Sequence, residues 1–275
     1  MTPRAADGIF LLEELGLLPH VLPELREGIG VPQDKHHIYS VFEHSVRSLR
    51  YAAEQNYSLE VRLAALLHDI GKPRTKQGVS PNSTFYNHEM AGAKMTLRAV
   101  DRLRFSKDIT EDAAHLVRWH MFYYNVGEVS AAGVRRFLAR VGIEYVDDLL
   151  RVREADRIGS GVPKAVPYKL RHLKFMIDKV RHDPISPKML RVNGLDIMRL
   201  LEIPPSPRVG QILAILLEEV LEDPERNGEE KLEVRIKELG KKTDTELAAL
   251  TAAARSKKEE FESGLEKEMK QKHHV

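Results

Sequence analysis

Hydrophobic side chains recur along this chain at intervals of three and four residues, the spacing of one face of an α-helix. The pattern is clearest at residues 39–55, 131–141 and 207–221. Alternating patterns typical of half-buried strands are few, and the commonest residues, Leu, Ala, Glu, Lys and Arg, are good helix formers. The sequence therefore predicts an all-α fold.

Further helices are predicted where the same spacing is interrupted by Gly, Pro and capping residues. Ser58, Asn87 and Thr110 are candidate N-caps. The additional predicted helices lie in segments 6–25, 58–69, 88–104, 111–120, 145–158, 163–181, 193–204 and 231–239. Residues 245–272 are rich in Ala and in charge, which is typical of a solvated helix or a frayed tail.

Composition narrows the class of protein. The chain has 275 residues and a net charge of +2, so no global field demands a nucleic acid as partner. It has no cysteine, which excludes disulfides, thiolate zinc sites and cysteine nucleophiles. No apolar run approaches the roughly 20 residues of a membrane helix, and the N-terminus lacks a signal peptide. We expect a soluble, cytoplasmic protein without membrane partners.

The stretch around residue 68 organises the candidate chemistry. An apolar run, Leu63–Leu67, is followed at once by His68 and Asp69. Gly71 is expected to end this helix in a left-handed conformation, and Pro73 is expected to prevent its continuation into a polar surface loop. An aspartate at a helix C-terminus is unfavourable with the helix dipole, so Asp69 needs a cation nearby.

Six imidazole and carboxylate side chains at or near predicted helix ends could complete a site around this pair. They are His44, His68, Asp69, His88, His120 and Asp156. Such a ligand set suits one or two divalent ions of Mn, Fe, Co, Ni or Zn, with Mg as a further option. Two histidines and two aspartates would hold one ion, and His88 and His120 a second, with Asp69 bridging both. Two ions roughly 3.5–4 Å apart would clamp a phosphoryl group and generate a hydroxide.

An ordinary structural role is the alternative for each residue taken singly. A lone histidine on a helix is more often core or surface filler than a ligand, and Asp156 could pair with Arg153 or Arg157. The metal hypothesis therefore depends on the joint pattern.

That pattern resembles the HD-domain metal-dependent phosphohydrolases over about residues 34–161. The order is His, then His-Asp, then two more histidines and a distal Asp, and the His-Asp pair is followed by Ile-Gly-Lys. The resemblance makes His44 the family's first histidine, His68 and Asp69 its name-giving pair, and Asp156 its distal aspartate. These four would hold one metal ion.

The resemblance extends to HD members with two metal ions. His88, in Asn-His-Glu, and His120, in Trp-His, match their extra histidines. No ligand of the two-metal set is missing, which argues against a decayed site.

Segments on either side resemble the body of bacterial tRNA nucleotidyltransferases, the CCA-adding enzymes and poly(A) polymerases. The matching segments lie at 15–25, 41–45 and 193–210. The family's nucleotidyltransferase head would precede Ala6, and we expect no such head in the given residues. The chain would then be either a stand-alone HD relative or a piece of a longer enzyme, and we expect no nucleotide addition by this chain alone. The predicted division is an N-terminal helical segment (1–33), an HD domain (34–162), a C-terminal helical body (163–240) and a charged tail (241–275).

The leading hypothesis is hydrolysis of phosphomonoesters or phosphodiesters in nucleotides, 2′,3′-cyclic phosphates or RNA 3′ ends. Asp69 would bridge the ions and orient the hydroxide. Lys72 would offset charge on the phosphate oxygens, unless it is simply an exposed loop lysine. The alternatives are a non-catalytic tRNA-binding body that works with a separate nucleotidyltransferase subunit, and a regulatory domain that senses a nucleotide.

Several further residues have two interpretations. Arg74 and Lys76 add positive charge beside the site or belong to a solvated loop, and Glu89 supports a ligating histidine or is a favourable first-turn acid. His36 and His37 are surface residues or substrate contacts. A basic track for a phosphate backbone, or else a solvated charged face, is formed by Arg135, Arg136, Arg140, Lys164, Lys169, Arg171 and Lys174.

Overall fold

The computed structural model describes residues 2–33, 38–80 and 82–254. Its α-helices are α1 (Ala5–Glu14), α2 (Leu18–Val21), α3 (Pro23–Arg26), α4 (Val41–Glu54), α5 (Leu59–Leu67), α6 (Lys72–Thr75), α7 (His88–Arg102), α8 (Lys107–Trp119), α9 (Ala131–Val141), α10 (Val146–Gly159), α11 (Tyr168–Val180), α12 (Gly194–Leu201), α13 (Pro207–Glu222) and α14 (Glu229–Gly240). Residues 244–254 are helical as well. No β-strand occurs among the described residues, so the predicted all-α fold is confirmed.

The N-termini of the helices follow local capping chemistry. A capping box starts α4, because the Ser40 hydroxyl accepts from the Glu43 N–H and the Glu43 carboxylate accepts from the Ser40 N–H. Ser58 caps α5 as predicted. The predicted start of α8 was wrong, since Ser106 caps that helix and the Thr110 hydroxyl donates to the Ser106 carbonyl inside it.

The chain after α5 differs from the prediction. Gly71 has φ −77°, so it is not left-handed, and Pro73 lies in the first turn of α6 rather than in a loop. The glycine is required for another reason: a Cβ at this position would lie 2.2 Å from the carbonyl oxygen of His88 and 2.7 Å from the amide nitrogen of Gly92. The end of α5 thus approaches the backbone of α7 at a distance that only glycine permits.

The described residues divide into two compact units. The first comprises the described part of Met1–Met121 together with Glu144–Pro167, and the second comprises Phe122–Ile143 and the described residues from Tyr168 onward. In the first unit α4 packs against α1, α5 and α10, and α8 packs against α5 and α7. The predicted division into four segments stays a prediction, and His36, His37 and residues 255–275 lie outside the described part of the chain.

None of the helices in the described ranges is both long and apolar enough to cross a lipid bilayer.

Candidate metal centre

Five helices of the first unit bring the six predicted ligands together. His44 lies in the second turn of α4, His68 directly follows α5, His88 opens α7, and His120 directly follows α8. Asp69 and Asp156 contribute the carboxylates, the former next to His68 and the latter from α10. Each imidazole is buried, with at most 6 % of its residue exposed. These helices bury their apolar faces in a common core. Polar residues at or near the helix ends thereby meet in one interior cluster.

The first half of the cluster combines two histidines with both aspartates. The Nε2 atoms of His44 and His68 lie 2.8 Å apart. Asp156 Oδ1 is 3.3 Å from His44 Nε2 and 3.7 Å from His68 Nε2. Asp69 Oδ2 is 3.3 Å from the first of these nitrogens and 3.2 Å from the second. Four donor atoms from four positions in the sequence therefore face one point.

The second half uses the other oxygen of the same aspartate. Asp69 Oδ1 lies 3.3 Å from His88 Nε2 and 3.8 Å from His120 Nε2. The two nitrogens are 3.3 Å apart. Asp69 thus directs one carboxylate oxygen towards each pair of histidines, and its side chain is only 2 % exposed.

Backbone hydrogen bonds fix which imidazole nitrogen faces the cluster. The Nδ1 atom of His68 lies 3.0 Å from the Ala65 carbonyl oxygen, and that of His120 lies 2.7 Å from the Val117 carbonyl oxygen. His88 Nδ1 lies 2.8 Å from the carbonyl oxygen of the residue three positions before it. Because a carbonyl only accepts, each Nδ1 carries the proton, and in the neutral ring Nε2 is left with a free lone pair.

These distances fit a pair of divalent ions. Ligand atoms about 2.1 Å from a metal ion are separated by roughly 3.0 Å in octahedral and 3.4 Å in tetrahedral geometry. Most separations of the donor atoms lie near these values, at 2.8–3.3 Å; those from Asp156 to His68 and from Asp69 to His120 are longer, at 3.7 Å and 3.8 Å. The donor types, neutral imidazole and carboxylate, also suit borderline transition metals.

The charges of the cluster favour a cation. Burial alone would raise the pKa of Asp69, but its electrostatic interactions with His68 and with the Lys72 ammonium hold it well below its usual range. Burial would likewise raise the pKa of Asp156, but its hydrogen bond with His44 and the charge of Arg153 lower it. Both carboxylates are therefore ionised inside the protein, where uncompensated negative charge is costly.

The histidines respond to this field in opposite ways. Burial lowers the pKa of His44, yet its hydrogen bonds with Asp156 and Asp69 outweigh burial and raise it to about 9. Burial and the neighbouring His68 and His88 lower the pKa of His120 well below its usual range. Without metal ions, His44 is thus protonated at neutral pH, while His120 stays neutral.

Two basic side chains hold the aspartates in place. Lys72 Nζ lies 2.6 Å from Asp69 Oδ2 and 2.7 Å from Gln33 Oε1, and its side chain is only 12 % exposed, which is not the environment of an exposed loop lysine. Arg153 Nη1 contacts Asp156 Oδ2 at 3.0 Å while Oδ1 faces the histidines. Asp156 therefore pairs with Arg153, as one of the alternatives suggested, while its other oxygen faces the two histidines.

The remaining polar residues near the site have mainly structural partners. Arg74 forms a two-pronged ion pair with Glu27. Glu89 lies 3.8 Å from His88 Nδ1 and 3.8 Å from Arg118. Sequence reasoning missed Gln33, because its contact with Lys72 joins residues 39 positions apart and no local pattern marks it.

Close packing of α10 on α4 sets the position of Asp156. A Cβ on Gly159 would lie 2.1 Å from the Ser48 hydroxyl oxygen and 2.9 Å from the His44 carbonyl oxygen. A glycine facing a small serine thus lets the two helices approach closely enough for Asp156 to contact His44.

The predicted basic track is partly neutralised. In the second unit, Arg135 pairs with Asp183 at 2.6 Å, and Arg136 pairs with Glu218 at 2.5 Å and also with Glu222. Both arginines therefore form ion pairs within the second unit and are not free charges on a solvated surface.

Comparison with known proteins shows similarity to one domain family and to several tRNA-processing enzymes. Residues 41–158 match the HD domain family model. The chain is 37 % identical over 227 residues to the A-adding tRNA nucleotidyltransferase of Deinococcus radiodurans, which covers 79 % of this chain and 51 % of the relative. It is 34 % identical over 223 residues to the CC-adding tRNA nucleotidyltransferase of Thermus thermophilus, covering 79 % and 49 %.

A third relative is the multifunctional CCA protein of Neisseria meningitidis, 32 % identical over 169 residues, which are 59 % of this chain and 40 % of the relative. The chain spans about half the length of the first two relatives. Residues 41–158 are thus similar to the HD domain, and the chain is similar to about half the length of the bacterial tRNA nucleotidyltransferases.

Proposed function

We propose that the six clustered side chains bind two divalent metal ions and that the chain hydrolyses phosphate esters there. Asp69 carries the proposal, because one buried carboxylate with its two oxygens directed at two different histidine pairs has the arrangement of a bridging ligand. When bound, the ions would supply charge neutralisation at the phosphate and an activated water as nucleophile.

The chain's own residues prepare this chemistry. The backbone carbonyls behind His68, His88 and His120 present three Nε2 lone pairs. Lys72 keeps Asp69 ionised and oriented, and is in that sense a positioning residue. Contact between Lys72 and the phosphate oxygens, as the sequence suggested, stays a prediction.

The relatives narrow the proposed substrate. Because they are named for adding nucleotides to tRNA, we rank RNA 3′ ends and 2′,3′-cyclic phosphates ahead of free nucleotides as substrates. The same similarity favours a second candidate, a tRNA-binding body that works with a separate nucleotidyltransferase subunit and in which the cluster has no catalytic role. The complete ligand set favours the first candidate, since a purely binding body needs no such cluster.

Hydrolysis assays after metal depletion test the proposal. The substrates are p-nitrophenyl phosphate, bis-p-nitrophenyl phosphate and 2′,3′-cyclic AMP, each assayed with chelator and after re-addition of Mn²⁺, Co²⁺, Ni²⁺, Zn²⁺ or Mg²⁺. We expect turnover that the chelator abolishes and that Asp69→Asn removes. His20→Ala is the matched control, because this histidine is exposed and outside the cluster.

The outcomes separate the two candidates. Turnover that persists in folded Asp69→Asn would refute the role of the cluster. Stoichiometric metal binding without turnover on any of these esters would refute hydrolysis and favour the tRNA-binding body.

A further inference from the structure

Gln33 is a buried amide that precedes the segment matching the HD family model, residues 41–158. Only 5 % of the residue is exposed, and a buried amide without partners is costly. Its Oε1 atom accepts from Lys72 Nζ at 2.7 Å. Its Nε2 atom lies 3.4 Å from the carbonyl oxygens of both Tyr39 and Ser40. The side chain thus joins the first residue of α6 to the chain just before α4.

Backbone hydrogen bonds hold the segment around Gln33 against the start of α4. The Val41 N–H donates to the Val31 carbonyl at 3.0 Å. The Ser40 carbonyl, towards which the Gln33 amide points, also accepts from the backbone N–H of His44 at 3.0 Å. The position of Gln33 is therefore tied to the helical turn that carries His44.

The Lys72 ammonium is held from three sides. Nζ lies 2.6 Å from Asp69 Oδ2 and 2.7 Å from Gln33 Oε1. The Phe85 ring centroid is 5.7 Å from the same atom, within the range of a cation–π interaction. The carbonyl oxygen of Phe85 in turn lies 2.8 Å from His88 Nδ1. Contacts of Lys72 therefore connect the shared aspartate with the supports of both halves of the cluster.

We propose that Gln33 is a positioning residue of the metal centre. It holds the Lys72 ammonium on Asp69 Oδ2 and links it to the start of α4, so that the shared carboxylate stays directed at both pairs of histidines. Side chains that orient a ligand in this way increase metal affinity. The inference rests on the metal binding proposed above, and it is independent of which ester is hydrolysed.

The two ends of the Gln33 amide distinguish this role from a purely structural one. The contact of Oε1 with Lys72 is short and has a charged donor, and such hydrogen bonds are about twice as strong as neutral ones. The Nε2 contacts with the two carbonyl oxygens are long by comparison. Removing the side chain should therefore act on the metal centre mainly through Lys72.

Co²⁺ titration of the metal-depleted full chain tests the proposal as a double-mutant cycle with Lys72→Met. We expect Gln33→Met to weaken Co²⁺ binding about tenfold. In the Lys72→Met chain the same substitution should change the affinity by less than about twofold, because the residue through which it acts is gone. Gln55→Met is the matched control, since this glutamine is exposed at the C-terminal end of α4.

Thermal unfolding in chelator checks that each variant is folded. Gln33→Asn keeps the amide but withdraws it by one methylene, so it should also weaken binding and replaces Gln33→Met if that chain does not fold. Unchanged affinity in the folded variants would overturn the proposal. A tenfold loss that persists in the Lys72→Met chain would do so as well, because it would make the role of Gln33 structural.

The same titration separates this inference from the proposed function. Absence of Co²⁺ binding by the unchanged chain would overturn both. Co²⁺ binding without hydrolysis of any ester would refute the proposed reaction alone, and the cycle between Gln33 and Lys72 would still decide the role of Gln33.

Discussion

Replacing Gly71 by alanine tests how the fold holds the two halves of the metal centre together. The new Cβ would lie 2.2 Å from the His88 carbonyl oxygen and 2.7 Å from the Gly92 amide nitrogen. Both are backbone atoms within α7, so neither can move away by a change of rotamer. Restoring van der Waals contact requires the end of α5 and the start of α7 to separate by more than ~1 Å.

This separation should lower the free energy of unfolding and weaken metal binding. Overpacking of this kind lowers the free energy of unfolding by about 2–3 kcal/mol, which corresponds to a fall in Tm of about 4–12 °C. The same movement carries Asp69 away from His88, whose facing atoms now lie 3.3 Å apart. A metal site tolerates deviations of only about 0.2 Å in its ligand distances, so the ion between Asp69, His88 and His120 should be lost first.

Thermal unfolding and metal analysis of Gly71→Ala measure both effects. Gly8→Ala is the matched control, because an alanine Cβ in α1 meets no atom within 4 Å and should stabilise the helix by about 0.5–1 kcal/mol. A Gly71→Ala chain with unchanged Tm and full metal content would refute the argument that this glycine sets the approach of the two helices.

Four further predictions concern the charges and the caps around the site. The pKa of His44 is raised to about 9 in the folded chain, so protonated His44 stabilises the metal-free fold. This stabilisation is fully present below pH 6.5 and is lost as the pH rises through 9. Chemical unfolding of the chelated protein across this range should show the fall in the free energy of unfolding. Metal binding at neutral pH should release about one proton from this histidine, measurable by titration calorimetry in buffers of different ionisation enthalpy. Lys72→Met should reduce metal affinity or turnover about 10–100-fold, whereas unchanged values would show that Asp69 needs no cationic support. Ser40→Ala removes the cap of α4 and should cost about 1 kcal/mol in urea unfolding, with Ser106→Ala as an equivalent cap on α8.

Much of the metal cluster could be predicted because its residues carry local signals. A histidine–aspartate pair directly after an apolar helix is rare, and the order of the remaining histidines follows the family pattern. Most longer helices were predicted by their spacing of hydrophobic residues, and α9 has the predicted bounds, whereas α6 lies where a loop was predicted.

The missing parts depend on contacts between distant segments. Gly71 was taken for a left-handed helix terminator because glycine often has that role, and nothing local indicates that the carbonyl of His88 lies against it. The bond from Lys72 to Gln33 and the packing of Gly159 on Ser48 likewise join segments that are far apart in sequence. At α8, both Ser106 and Thr110 are residue types that cap helices, and the structure places Ser106 at the N-cap.

The central claim is that Asp69 is shared by two metal ions, and the metal content per chain tests it most directly. Protein purified without added ions and then loaded should contain about two ions per chain. His120→Ala and Asp156→Asn should each retain about one ion, and Asp69→Asn should retain neither at full occupancy. A single ion in the unchanged chain, or two ions in folded Asp69→Asn, would contradict the account.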